Sequence, residues 1–189
     1  MYWHSSDYDR MAQLVIDVYI DYNLTTFPIG VMELCPKLGV LLIPYSAYDD
    51  TEDCISFSNL TNDAFYIPAS KQNGPIIVYN DRIVSKGRIR FSVSHELKHY
   101  VNDDKEDNPY DENMADYFAR YLLCPIPVLI YRGVNDVATI ISDYNVSADV
   151  ANHVLRNLQN RRRVHGNKIF DFEKPLIELI KSAEGGGLF

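Results

Sequence analysis

The stretch Arg90–Asn102, RFSVSHELKHYVN, combines a helical apolar pattern with two of the chain's five histidines. Starting at the residue just before this stretch, four apolar residues recur at spacings of four, four and three: Ile89, Val93, Leu97 and Tyr100. This spacing predicts one buried face of an α-helix. His95 and His99 are four residues apart, so a helix places their side chains next to each other. At about 100° per residue Leu97 points about 200° away from His95, and we predict different faces for the histidines and the apolar stripe.

The segment HELKH is a candidate metal site. Two imidazoles at this spacing can bind one cation, and Glu96, one step round the helix from His95, can reach a water on that cation. An alternative is a solvated histidine pair on an exposed helix face. A catalytic zinc needs a third protein ligand and one open position, so a metal site also requires another acidic or histidine side chain nearby.

The following segment DENMADYFARYLLCP, residues 111–125, supplies candidates for that role. Glu112 and Asp116 are four residues apart on a second predicted helix, which can return beside the first after an acidic loop. We predict Glu112 as the third metal ligand, and Asp116 as the acceptor for the free ring N–H of a ligand histidine. The alternative is that both are acids favoured near a helix N-terminus.

The two stretches RIRFSVSHELKH and ENMADYFARYLLCP resemble the ImmA/IrrE family of zinc-dependent metallo-endopeptidases. The resemblance, which covers roughly residues 8–160, implies a mostly helical zincin-like α+β fold with a small sheet of about three strands before the HExxH helix. It implies Zn2+ bound by His95, His99 and Glu112, with Glu96 as catalytic acid/base. It also implies a bacterial, phage or mobile-element setting in which a helix-turn-helix repressor is cleaved.

Two positions depart from that family's usual pattern. Lys98 stands where the family usually has glycine, and Cys124 stands where it usually has methionine. Cysteine for methionine is a mild apolar replacement. A lysine beside the second ligand is expected to extend its stem toward solvent.

Periodicity and turn residues give the order of the remaining elements. The helices are predicted at about 11–22, 28–38, 54–60, 111–123, 135–144 and 147–160, and the strands at VLLIPY, AFYIPA and PIIVYN. Ser147 is the predicted cap of the last helix. We predict a single domain over residues 1–189, with a helical portion at 126–165 packed on it and a flexible tail at 182–189.

Composition and hydropathy limit the possible binding partners and the cellular location of the protein. The formal net charge of -8 argues against broad binding to nucleic acid or to anionic membranes. No apolar run approaches the ~20 residues of a membrane span, and the N-terminus lacks the pattern of a secretion signal. The three cysteines form no C-x-x-C pair and are expected to be buried thiols. We therefore expect a soluble cytoplasmic protein.

If zinc is bound, Glu96 is expected to activate a zinc-bound water for attack on a peptide carbonyl. A second donor for the developing oxyanion is usual in such sites, and Tyr79, His153 and His165 remain open as candidates. Substrate is expected to pair with an exposed sheet edge, with Ile76–Tyr79 as the candidate strand.

A different class of function is suggested by residues 136–158, which form two short predicted helices around a turn. With Arg156 and the run Arg161–Arg163 nearby, a non-proteolytic module that sequesters a repressor or binds DNA is the alternative. A run of arginines at a helix end also complements the helix dipole in solvent. Because the whole chain is acidic, nucleic acid is an unlikely partner.

Overall fold

The computed structural model of the protein describes residues 5–49, 63–103 and 109–185. The α-helices in these residues are α1 (Ser5–Asp21), α2 (Val31–Lys37), α3 (Lys86–Val101), α4 (Pro109–Leu123), α5 (Ile126–Tyr131), α6 (Val137–Tyr144), α7 (Ala148–His165) and α8 (Lys174–Gly185). The strands are β1 (Leu41–Pro44), β2 (Ala64–Ile67) and β3 (Ile76–Tyr79). Short 3-10 helices occur at Tyr45–Tyr48 and Asp171–Glu173. The predicted α+β class, mostly helical with a small sheet ahead of the motif helix, is confirmed. The helix predicted at 54–60 lies outside the described residues.

The described residues divide into two compact units. One unit is Gly30–Ala119, which holds α2, the sheet, α3 and most of α4. The other combines Met1–Ile29 with Arg120–Phe189, and so holds α1 and α5 to α8. The single domain predicted over 1–189 stays a prediction.

Three short strands form a mixed sheet in the order β1-β3-β2. β1 pairs with β3 in parallel, and β2 pairs with β3 antiparallel. The central residues of β3, Ile77 and Val78, are fully buried, as expected for an apolar strand with a neighbour on each side. The prediction that Ile76–Tyr79 offers a free edge to substrate is therefore wrong, because both edges of this strand are already hydrogen-bonded.

Helix α3 begins where the sequence provides a cap. The hydroxyl of Ser85 accepts a hydrogen bond from the Arg88 backbone N–H, which satisfies one of the donors left over at the first turn. Val93 and Leu97 are fully buried, and the helix packs on β2 and β3. The apolar stripe thus fixes α3 to the sheet, as the spacing predicted.

The second unit is helical. α1 packs against α8, α5 packs against α7 and α8, and α6 packs against α7. The hydroxyl of Tyr19 in α1 donates to the buried carbonyl of Leu122 at 2.7 Å. The predicted cap at Ser147 is present, since its hydroxyl accepts from the Val150 N–H. α5 and α8 were not predicted; Pro125, Pro127 and Pro175 lie at the starts of these two helices.

The cysteines, the C-terminal tail and the possible membrane spans were also subjects of prediction. Cys35 and Cys124 are buried thiols, and burial raises the pKa of Cys35 to about 12; Cys54 lies outside the described residues. Helix α8 extends to Gly185, and residues 186–189 are outside the described part, so flexibility of the tail stays a prediction. No helix within the described ranges combines the length and apolar character needed to cross a membrane.

A buried ion pair organises the end of α7. The Arg161 guanidinium donates to both carboxylate oxygens of Glu173, whose side chain is 0% exposed. Glu173 also accepts from the Tyr121 hydroxyl at 3.1 Å and the Phe170 backbone N–H at 2.8 Å. Arg161 supplies the positive charge that compensates the buried Glu173 carboxylate. Removing either residue therefore leaves the charge of the other uncompensated.

We predict that Arg161→Met lowers the free energy of unfolding by about 3 kcal/mol or more, because it leaves the Glu173 carboxylate buried without its cation. Arg163→Met, two residues along the same helix at an exposed position, is expected to change it by less than about 0.5 kcal/mol. Urea unfolding followed by circular dichroism measures both. Equal effects of the two substitutions would contradict the prediction.

Candidate metal centre

Helix α3 presents its two histidines side by side on a partly open face. The ring centroids of His95 and His99 are 5.5 Å apart, and their side chains are 16% and 11% exposed. Leu97, between them in sequence, is completely buried. The histidine pair and the apolar stripe thus lie on different faces of the helix, as predicted.

Helix α4 brings a carboxylate to both rings. Glu112 Oε2 lies 3.1 Å from His95 Nε2, and Glu112 Oε1 lies 3.4 Å from His99 Nε2. One ligand atom from each of the three residues lies within 4.8 Å of the others. Two imidazole nitrogens and one carboxylate oxygen are a common protein donor set for a catalytic metal. The three predicted ligands are therefore close enough to share one ion.

Asp116 lies one turn beyond Glu112 and contacts the opposite side of the His95 ring. Its Oδ1 is 3.1 Å from His95 Nδ1. A proton on Nδ1 can be donated to this carboxylate, which leaves the Nε2 lone pair directed toward Glu112 and available to a metal. The structure thus places Asp116 where the sequence predicted a partner for a ligand histidine.

The carboxylates around His95 change its titration. Burial lowers the pKa of His95, but the hydrogen bond with Asp116 and the negative charges of the three neighbouring carboxylates together raise it above the usual histidine value. In the metal-free protein, the stability contributed by protonated His95 is therefore fully present below about pH 6.5 and is lost as pH rises through the raised pKa.

Glu96 lines an open cleft beside the two ligand helices. The cleft has a volume of about 320 Å³ and is lined by Asp63, Ala64, Arg88, Phe91, Ser92, His95, Glu96 and Glu112. Its walls are mainly polar and charged. The Glu96 carboxylate lines this cleft together with two of the proposed ligands, His95 and Glu112. It can therefore exchange a proton with a molecule bound in the cleft.

Two charged residues at this cleft were missed by the sequence analysis. The Arg88 guanidinium is held by Asp63 through a pair of hydrogen bonds, and the Ser92 hydroxyl also contacts Asp63. Arg88 could have been found, because it lies seven residues before His95 and so on the same helix face. Asp63 could not, because nothing in the sequence pattern shows that the residue before β2 meets α3.

The proposed second donors for the oxyanion are placed as follows. Tyr79 ends β3 and is not among the residues that line the cleft. His153 and His165 are exposed on α7, which belongs to the other unit. Tyr45 was not considered from sequence; burial, and then the negative charges of Asp63 and Glu96, raise the pKa of its hydroxyl.

Lys98 does not extend toward solvent, and that expectation is wrong. Its side chain is 0% exposed, and its ammonium donates to the Asp111 carboxylate at 3.0 Å and to the Asp111 carbonyl at 3.2 Å. A buried ammonium needs such a partner, because desolvation strongly disfavours an isolated charge. The packing of α3 against the start of α4 provides it.

Two histidines and a glutamate that could hold one ion, with an acid next to the first histidine in sequence, fit the donor pattern of a metallopeptidase. Residues 39–156, more than half of the chain, match the family model Peptidase_M78, described as the IrrE N-terminal-like domain, and the protein belongs to this family. The resemblance seen in the two motifs is thereby confirmed. A comparison with curated proteins found no match.

We predict that Glu112→Gln weakens metal binding more than Asp116→Asn, because the first removes a ligand charge and the second only the support of a ligand. For Asp116→Asn the expected loss of affinity is about 10–100-fold. Competition with a chromophoric chelator measures both. Glu178→Gln, at an exposed position on α8, is the matched control and should bind metal as the wild type does. Unchanged affinity of Glu112→Gln would contradict the assignment of that ligand.

We also predict that Asp116→Asn lowers the pKa of His95 in the metal-free protein, because it removes the hydrogen-bonded carboxylate that raises it. The C–H resonances of the ring, followed by NMR as pH is varied, report this pKa directly. Asp149→Asn, in the exposed first turn of α7, should leave the titration unchanged. A His95 pKa that does not fall in Asp116→Asn would show that this contact is absent in solution.

Proposed function

We propose that the protein is a zinc-dependent endopeptidase in which His95, His99 and Glu112 hold the metal and Glu96 is the catalytic acid/base. The observation that carries this proposal is the approach of Glu112 in α4 to both imidazoles of α3, at 3.1 and 3.4 Å. Membership of the peptidase family supports a hydrolase acting on peptide bonds.

The donor set fits zinc. Two neutral imidazoles and one carboxylate are the ligands of known catalytic zinc sites, which keep a further position open. Harder cations such as Mg²⁺ and Ca²⁺ favour sites made of oxygen ligands. The contact between Asp116 and the Nδ1 of His95 also suits zinc, because it holds the ring in the tautomer that a metal at Nε2 requires.

Zinc bound there would act as a Lewis acid, which lowers the pKa of water toward ~7 and polarises a carbonyl. The protein's own residues do the rest. Glu96, at the cleft wall, accepts the proton of the attacking water and then returns it to the leaving amine. Asp116 orients His95, and Asp63 holds the Arg88 guanidinium in the wall of the same cleft.

The substrate we propose is a helix-turn-helix repressor of a phage or mobile element, cleaved in the cytoplasm of a bacterial cell. This rests on the family resemblance and on the form of the site. The cleft is open and polar, which suits a segment of a protein chain more than an apolar small molecule.

The alternative, a zinc-binding module that sequesters a repressor or binds DNA without cleaving it, is less well supported. Of the arginines on which DNA binding would depend, Arg161 forms the buried pair with Glu173. Arg162 donates to the Val134 carbonyl at 2.9 Å and to the Asn167 side chain at 3.1 Å. These groups are used within the second unit, which leaves less basic surface for a phosphate backbone.

We predict that Glu96→Gln keeps its zinc but reduces peptide hydrolysis by about 10²–10⁴-fold, because proton transfer is lost while the ligands remain. Zinc-loaded protein is incubated with a peptide library and with a repressor encoded beside its gene, and new termini are counted by mass spectrometry. Glu178→Gln is the control for loss of an exposed carboxylate. A repressor inactivated at the same rate by Glu96→Gln would rule out proteolysis and favour sequestration.

A further inference from the structure

A buried cation lies next in sequence to one of the proposed metal ligands. Lys98 is adjacent to His99 in sequence, and its side chain is completely buried. Its ammonium donates to the Asp111 carboxylate at 3.0 Å and to the Asp111 backbone carbonyl at 3.2 Å. Lys98 and Asp111 are thus joined both through side chains and through the main chain of α4.

Asp111 immediately precedes Glu112 in the first turn of α4. A carbonyl held by Lys98 fixes the main chain at this point, and the position of the next residue follows from it. The Asp111 side chain is only 17% exposed, whereas that of Glu112 is 48% exposed. The glutamate is thus the more exposed of the two, and its better buried neighbour is the one held by a buried cation.

Buried ion pairs are not efficient sources of stability, since apolar residues of similar size often serve as well. In some proteins such a pair instead supplies a directional contact, which one arrangement of two helices satisfies and a shifted arrangement breaks. A displacement of about 1 Å is enough to spoil a constellation of catalytic groups. The pair is therefore suited to setting the distance between α3 and the start of α4.

We propose that Lys98 is a positioning residue, which anchors the first turn of α4 through Asp111 and so fixes Glu112 opposite His95 and His99. The proposal rests on the metal site put forward above, because Glu112 matters only if it is a ligand. The proposal gives a role to Lys98, which stands where the family usually has glycine.

The test compares Lys98→Met with two controls in the full-length protein. Lys86→Met makes the same chemical change on the same helix, at an exposed position. Arg161→Met breaks a buried ion pair in the other unit and controls for general destabilisation. The dissociation constant for zinc, measured by chelator competition, is expected to rise about 10–100-fold in Lys98→Met and less than twofold in both controls.

A second measurement does not need zinc. Hydrogen–deuterium exchange of the metal-free protein is expected to accelerate across residues 109–116 in Lys98→Met and to stay unchanged there in both controls. If the wild type binds no zinc, the proposed function fails, yet exchange still decides whether Lys98 fixes this turn. Wild-type exchange in Lys98→Met, or wild-type zinc affinity, would overturn the proposal.

Asp111→Asn gives a milder variant in case Lys98→Met fails to fold. It removes the charge but keeps the size of the side chain, and it is expected to weaken zinc binding in the same direction by a smaller factor. If the two residues act as one unit, the double variant binds zinc no more weakly than the worse single variant. Full additivity of the two losses would show that they act separately and would also overturn the proposal.

Discussion

The contact of one carboxylate with two imidazoles brings together the parts of the proposed site. Glu112 meets His95 and His99 because α3 packs on the sheet through its apolar stripe and side-chain contacts join α3 to the first turns of α4. In the metal-free state the raised pKa of His95 favours its protonated form, whose positive charge offsets the neighbouring carboxylates of Glu112 and Asp116. A divalent cation would supply the same compensation with more charge.

The parts of this arrangement that could be predicted were those encoded over short distances. The stripe at Val93 and Leu97 fixed the buried face of α3, and the spacing of His95 and His99 placed both rings on one side. Glu112 and Asp116 were predicted from their own four-residue spacing and from the family motif. Three strands were identified because each is a short aliphatic or aromatic run bounded by turn residues.

The parts that could not be predicted depend on long-range packing or on the position of proline. Strand order is one example, since nothing local shows that β3 lies between β1 and β2. Pro125 is the N-cap residue of α5, and Pro127 lies in its first turn, where a missing N–H costs nothing. Lys98 was assigned to solvent from its residue type alone, although Asp111 makes its burial acceptable. The pair of Arg88 and Asp63 was missed for a related reason, because the partner comes from another element.

The burial of Lys98 has a consequence for how related chains are recognised. A glycine at this position needs nothing from the next helix, whereas a lysine needs an acid that lies thirteen residues further on. The residue types at positions 98 and 111 are therefore coupled, because the buried lysine requires the aspartate. A search profile that scores the two positions separately penalises the lysine without crediting the aspartate. A profile that accepts lysine only together with that aspartate would retrieve chains of this kind and reject those in which the cation has no counterpart.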